Sequence, residues 1–203
     1  MSLCIGVLKE TPAGERRVSL VPGDLKAIKA LGAEVMIEAG AGTASAYPDS
    51  AYEAAGAKVA KSRDELLAAA QIVLHVSPQT GLAGPGKSGQ LFIGMGDALA
   101  KPGPHATIAK SGASTMALEL VPRITRAQSM DVLSSMATLL GYRGVLLGAD
   151  ALPRVFPLMM TAAGTISPAK VLVMGAGVAG LSAIGAGRRL GARGGDAPHP
   201  PPC

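Results

Sequence analysis

Gly175-x-Gly177-x-x-Gly180 stands between an apolar run, Lys170 to Met174, and an apolar stretch from Val178 to Leu190. A strand, a glycine turn and a helix start in that order can hold a dinucleotide. The first glycine permits the tight turn, the second lets backbone approach a pyrophosphate, and the third lets helix and strand pack closely. The helix N-terminus offers unpaired N–H groups to the phosphate. The plain alternative is a glycine-rich packing turn. Such a unit continues into a second strand ending in an acidic residue for the adenosine ribose. Here the chain runs into Arg193-Gly-Gly-Asp-Ala-Pro-His-Pro-Pro-Pro-Cys203. Asp196 stands 16 residues past Gly180, but no apolar strand precedes it and four prolines surround it. This reading sets Asp196 aside as a ribose ligand.

The second constellation is Arg123-Ile-Thr-Arg-Ala-Gln-Ser-Met-Asp-Val-Leu-Ser-Ser135. Arg123 and Arg126 could clamp a phosphate or fix a carboxylate. Thr125 could cap a helix. Gln128, Asp131 and Ser134 recur every three residues, so on a helix they share roughly one face. An amide beside a carboxylate can fix a carboxamide through complementary donors and acceptors. Capping plus a solvated helix face explains the same residues, and spacing alone leaves both readings open. His75, His105 and His199 are isolated, and each reads as structural or exposed. No Ser/His/Asp triad and no metal-ligand cluster stands out, so no metal is expected.

The elements that position these residues follow from periodicity. Strands are predicted at Cys4–Leu8, Glu34–Glu38, Ile72–Val76, Leu91–Ile93 and Ser114–Leu118. Helices are predicted at Pro22–Leu31, Asp49–Ala55, Arg63–Ala70 and around His105–Lys110. Strands alternating with helices indicate a parallel α/β sheet. Residues 126–149 read as a long helix with an apolar stripe at Leu133, Met136, Ala137 and Leu140. The Thr161–Pro168 segment reads as a loop, and the nucleotide strand starts at Lys170. Four divisions result: an N-terminal lobe at 1–122, a connecting helix with the polar cluster at 123–149, a partial nucleotide lobe at 150–192, and a non-native or disordered tail at 193–203. The fold class is α/β, two Rossmann-like lobes joined by a long helix, with the second lobe truncated.

Composition narrows the classes. The 203 residues are 48% hydrophobic, which suffices for a core, and mean hydropathy is +0.35. The apolar window Val171–Gly187 is glycine-rich and ends in Arg188-Arg189, which fits strand–turn–helix better than a bilayer span. The stretch Val145–Met160 is interrupted by Asp150, Pro153 and Arg154. The N-terminus carries no basic run and is not read as a signal peptide. Cys4 and Cys203 suggest no disulfide framework, which fits a reducing cytosol. Net charge is +5, yet basic residues are scattered, aromatics are only 2% and Trp is absent. Single-strand binding needs aromatic platforms, so no nucleic-acid partner is expected.

Arg123–Ser135 with Gly141-Tyr142-Arg143, and the run from Thr161 to Leu181, resemble the alpha subunit of proton-translocating NAD(P) transhydrogenase, in its NAD(H)-binding domain. Ile5–Val18 and Ala39–Gly42 match as well, so the likeness spans residues 3–192. The Arg-Ala-Gln-Ser-x-Asp-x-Leu-Ser-Ser run is highly specific to that family. The resemblance implies a soluble, dimeric domain that passes hydride from NADH to NADP⁺ on a partner, coupled to proton movement through a membrane domain. It implies NAD(H) as cofactor, NADP(H) on the partner subunit, NADP-binding and membrane-spanning partners, and a cytoplasmic place peripheral to the inner membrane. By motif, Arg123, Ile124, Thr125, Arg126 and Ser134 contact NAD, and Gln128 and Asp131 orient the dihydronicotinamide as the catalytic pair. Gly175, Gly177, Val178 and Gly180 form the pyrophosphate turn. Hydride transfer between two nicotinamides needs near-attack geometry with water excluded rather than an acid or base.

Alanine dehydrogenase is the second family with this pattern, and it resembles the chain at Arg17, where that enzyme binds a substrate carboxylate. Its lysine is replaced by His75, and its catalytic histidine would fall in Phe92–Asp97, where none exists. A third reading is a non-catalytic fragment that only dimerises or binds partner subunits. The tail also looks frameshifted: with permitted codons, the frame one base later reads Val-Val-Ala-Thr-Arg-Pro, which is similar to the family's next strand. With the second strand missing, NADH binding is expected to be weak or absent.

Overall fold

The computed structural model describes residues 3–196, with side chains through Gly194. Two compact units divide between Met130 and Asp131.

The first unit alternates strand and helix: β1 (Leu3–Val7), α1 (Leu25–Ala30), β2 (Ala33–Glu38), α2 (Asp49–Ala54), β3 (Lys58–Ala60), α3 (Arg63–Ala69), β4 (Ile72–Leu74), α4 (Pro78–Gly81), β5 (Leu91–Gly94), α5 (Pro102–Lys110) and β6 (Ser114–Ala117). Its six strands run parallel in the order β3-β2-β1-β4-β5-β6, so the order reverses between β1 and β4. Short apolar strands buried on both sides are what a parallel sheet requires. Val7, Leu25, Val35, Ile37 and Tyr52 form one core cluster. Leu8, Leu66, Val73, Phe92 and Ile108 form the other. Tyr52 is fully buried, and its hydroxyl donates to the Leu20 carbonyl at 2.9 Å. Burial pushes its pKa up to about 12.

The second unit opens with α6 (Val132–Ala151). A hairpin of β7 (Met159–Thr161) and β8 (Gly164–Ile166) follows, then β9 (Lys170–Val173), α7 (Val178–Arg189) and β10 (Arg193–Asp196). Val145, Phe156, Ala169 and Ala186 form its core. A Cβ on Gly141 would lie 2.0 Å from the Ala179 carbonyl oxygen, so glycine is what lets α6 and α7 touch. The Ser182 hydroxyl donates to the Thr138 carbonyl at 2.7 Å across the same contact.

Four expectations change. The long helix begins at Val132 rather than Arg126, and it belongs to the second unit. Its packed stripe is Leu133, Ala137, Gly141 and Val145, whereas Met136 and Leu140 are 38% and 68% exposed. The reason is the i, i+4 row of small residues, which admits α7 closely. Residues 159–166 form a hairpin rather than a loop, paired through backbone hydrogen bonds that its exposed residues do not advertise. Residues 193–196, expected to be unpaired, form a strand parallel to β9, with Asp196 opposite Val173. Ladder pairing uses only backbone groups, so Gly194 and Gly195 join it despite their poor strand preference. The rest of the predicted tail, including His199 and Cys203, lies outside the described residues.

Candidate functional site

The turn after β9 is built by glycines with separate jobs. Gly175 adopts φ +102, a left-handed conformation that favours glycine. A Cβ on Gly180 would lie 1.9 Å from the Gly175 carbonyl oxygen, so only glycine lets the first turn of α7 fold back on the loop. Gly177 differs. It is the N-cap of α7, it supplies no side-chain cap, and nothing lies within 4 Å of where its Cβ would be. The chain's own packing does not demand glycine there; the open space suits a ligand brought close to backbone. The first N–H groups of a helix need acceptors, and a pyrophosphate supplies them. Val178 is the first residue of α7, with a half-exposed side chain. The residues present therefore fit a dinucleotide. β9, α7 and β10 make one parallel strand–helix–strand unit, and Asp196 ends its second strand. That backbone position is where such a unit carries its ribose acid, so the reason for setting Asp196 aside does not hold.

Asp131 and Ser134 come together at the head of α6. Asp131 is the N-cap; its carboxylate accepts from the Ser134 backbone N–H at 2.9 Å and from the Ser134 hydroxyl at 2.6 Å. Ser135 donates to the Asp131 carbonyl at 2.9 Å. Aspartate is among the strongest N-capping residues, which is why the α-helix starts here and why Thr125 does not cap it. Gln128 consequently does not share a helix face with Asp131 and Ser134. It lies in a six-residue 3₁₀ segment, Thr125–Met130, that ends the first unit. Ala127 anchors this segment, whereas Arg123, Ile124, Thr125, Arg126 and Gln128 are exposed. The spacing of three suits 3₁₀ geometry, in which Thr125 and Gln128 eclipse.

The carboxyl ends of the first unit's strands hold a polar network that sequence reasoning missed. The Glu10 carboxylate accepts from Val76 N–H at 2.7 Å, Ser77 N–H at 3.1 Å and the Thr80 hydroxyl at 2.8 Å. His75 is buried; its Nδ1 lies 3.1 Å from the Ser77 carbonyl and donates to it. Burial holds the His75 pKa below its ordinary value. His105 bridges the Thr115 hydroxyl at 2.8 Å and the Gly96 carbonyl at 3.0 Å. Glu119 accepts from Gly96 N–H and Ala98 N–H, each at 3.0 Å. Burial alone would raise the Glu119 pKa, but these bonds outweigh it and hold it low. Arg17 presents its fork to Glu15, with bonds of 2.8 and 2.6 Å. Among the described residues no His/Cys/Asp/Glu group is arranged to hold a metal.

Residues 6–140 match the family described as "Alanine dehydrogenase/PNT, N-terminal domain", and residues 144–194 match "Alanine dehydrogenase/PNT, C-terminal domain". The chain belongs to this family. It is 44% identical, over 93% of its length, to the first of the polypeptides that make up NAD(P) transhydrogenase subunit alpha in Rhodospirillum rubrum, of which it covers 50%. It is 30% identical to the alanine dehydrogenase of Mycolicibacterium smegmatis, covering 94% of the chain and 52% of that protein. The chain thus spans about half the length of these relatives. The crystal structure of transhydrogenase from Sinorhizobium meliloti superposes with TM-score 0.87 at 43% identity, over 98% of this chain and 59% of that one. An L-alanine dehydrogenase structure superposes with TM-score 0.77 at 26% identity, over 94% of this chain and 53% of that one.

Proposed function

We propose that this chain is the NAD(H)-binding component of a proton-translocating NAD(P) transhydrogenase, passing hydride from NADH to NADP held by a partner subunit. The reading is carried by the open space over Gly177 at the head of α7, in a chain 44% identical to a transhydrogenase alpha subunit. NAD(H), when bound, supplies the hydride. The α7 N–H groups receive its pyrophosphate beside Gly175, Gly177, Val178 and Gly180. Arg123, Ile124, Thr125, Arg126 and Ser134 contact the dinucleotide, and the Gln128 amide and Asp131 carboxylate orient the carboxamide of its nicotinamide. Ser134 holds the Asp131 side chain in one rotamer, so the orienting group is ordered before ligand arrives. Asp196 stands at the ribose position. The working protein is a homodimer in the cytoplasm, bound peripherally to the inner membrane through NADP-binding and membrane-spanning partners.

The test is calorimetric titration with NADH and NADPH, followed by hydride transfer assayed with an NADP-binding transhydrogenase subunit. NADH is expected to bind weakly but in preference to NADPH. Gln128→Ala is expected to slow hydride transfer much more than it weakens NADH binding; equal losses would assign it to ground-state binding. Oxidation of L-alanine would favour the other branch of the family, against which stand the Arg17–Glu15 pair and the absence of histidine from Phe92–Asp97. No NADH binding and no transfer would leave a fragment that only dimerises or binds partner subunits.

A further inference from the structure

α6 is apolar on every side. Leu133, Ala137, Gly141 and Val145 turn toward α7. The opposite face carries Met136, Leu139, Leu140, Arg143, Leu147 and Asp150, spaced as i, i+3, i+4, i+7, i+11 and i+14. Leu139, Leu140 and Leu147 are 57%, 68% and 52% exposed. By length and composition α6 is apolar enough to cross a membrane, yet only 11% of its most apolar window is buried. Helices apolar all round are covered in the working molecule.

We propose that a second copy of this chain covers this face, packed antiparallel about a two-fold axis. Charge placement supports that occupant. Arg143 and Asp150 are the only charged residues in α6. They share a face but stand about 10 Å apart along the axis, too far to pair with each other. Centring the axis between Leu146 and Leu147 sets Arg143 of each copy opposite Asp150 of the other, so one contact is made twice, as an isologous interface requires. The same register brings Gly144 and Gly148 near the crossing, where nothing lies within 4 Å of a Cβ at either position. A lipid bilayer would leave both charges unpaired in hydrocarbon, at high cost. The inference deepens the homodimer reading above and rests on it.

Analytical ultracentrifugation of the full chain tests both separately. The wild-type chain is expected to dimerise. Arg143→Glu and Asp150→Lys, which set like charges opposite each other twice per dimer, should each weaken the dimer at least about tenfold. The Arg143→Glu/Asp150→Lys double variant should restore it, with circular dichroism confirming that all remain folded. In a Cys4→Ser/Cys203→Ser background, Leu147→Cys should cross-link between copies with a short bismaleimide. A wild-type chain that stays monomeric overturns the homodimer reading itself. A dimer indifferent to the charge variants, without cross-linking at Leu147→Cys, keeps the homodimer and overturns this surface. A monomer that co-sediments with phosphatidylcholine vesicles overturns it in favour of lipid.

Discussion

Two alanine substitutions three residues apart should have opposite consequences. At Gly180 the new methyl would lie 1.9 Å from the Gly175 carbonyl oxygen, a backbone atom that cannot rotate away. Overpacking of this kind costs about 1–3 kcal/mol, partly offset by the roughly 1 kcal/mol that alanine gains over glycine inside a helix. The net loss is up to about 2 kcal/mol, and in a unit of this size each kcal/mol lowers Tm by about 4–8 °C. Gly177→Ala meets nothing within 4 Å and loses only a modest N-cap preference, of order 0.5 kcal/mol. It should therefore melt close to wild type. Its methyl does stand where a pyrophosphate would meet backbone, so NADH affinity should fall at least about tenfold. Thermal denaturation followed by circular dichroism, with calorimetric NADH titration on the same samples, separates the two. If Gly177→Ala binds NADH as wild type does, the space over Gly177 is not the ligand's. If Gly180→Ala melts with wild type, the close contact is not holding the turn.

Asp131 has two assigned roles that conservative variants divide. Asn caps a helix about as well as Asp, so Asp131→Asn should keep the Tm while slowing hydride transfer, whereas Asp131→Ala should also cost about 1 kcal/mol of stability; equal melting losses would refute the cap. Glu15 gives a pH dependence: the Arg17 guanidinium holds its carboxyl at about 2, below its ordinary 4.5. A depressed carboxylate stabilises the fold above its unfolded value and loses that contribution as pH falls toward the folded one. Acid unfolding of Arg17→Gln should therefore begin at higher pH than wild type, and superimposable acid curves would show that the pair contributes nothing.

Much of the fold was legible because its signals are local. Apolar runs at Ile72–Leu74 and Leu91–Ile93 are short buried strands, and Ser62 caps α3 through its bond to Glu65 N–H. The glycine turn was legible because each glycine has a steric reason written into a short segment. What was not legible depends on distant partners. The hairpin at 159–166 has exposed strands and no alternating pattern. β10 contains two glycines and pairs only because β9 offers a backbone edge. The helix start depended on which of several capping residues wins, and Asp131 wins through Ser134. The polar residues from Lys9 to Arg17 read as a solvated turn, because nothing near Glu10 in sequence names Val76, Ser77 and Thr80 as its partners.

Those Glu10 bonds have a consequence for how two related lobes divide their labour. Open parallel sheets bind ligands in the crevice where strand order reverses, which in the first unit lies at the carboxyl ends of β1 and β4. The donors there are already taken by a carboxylate tethered three residues beyond β1. A tethered group competes at millimolar or higher effective concentration, whereas a free metabolite must also surrender its translational freedom to bind. The first lobe thus carries a built-in antagonist of its own crevice. An anionic ligand entering the protein is left with one uncontested anion seat, at the head of α7.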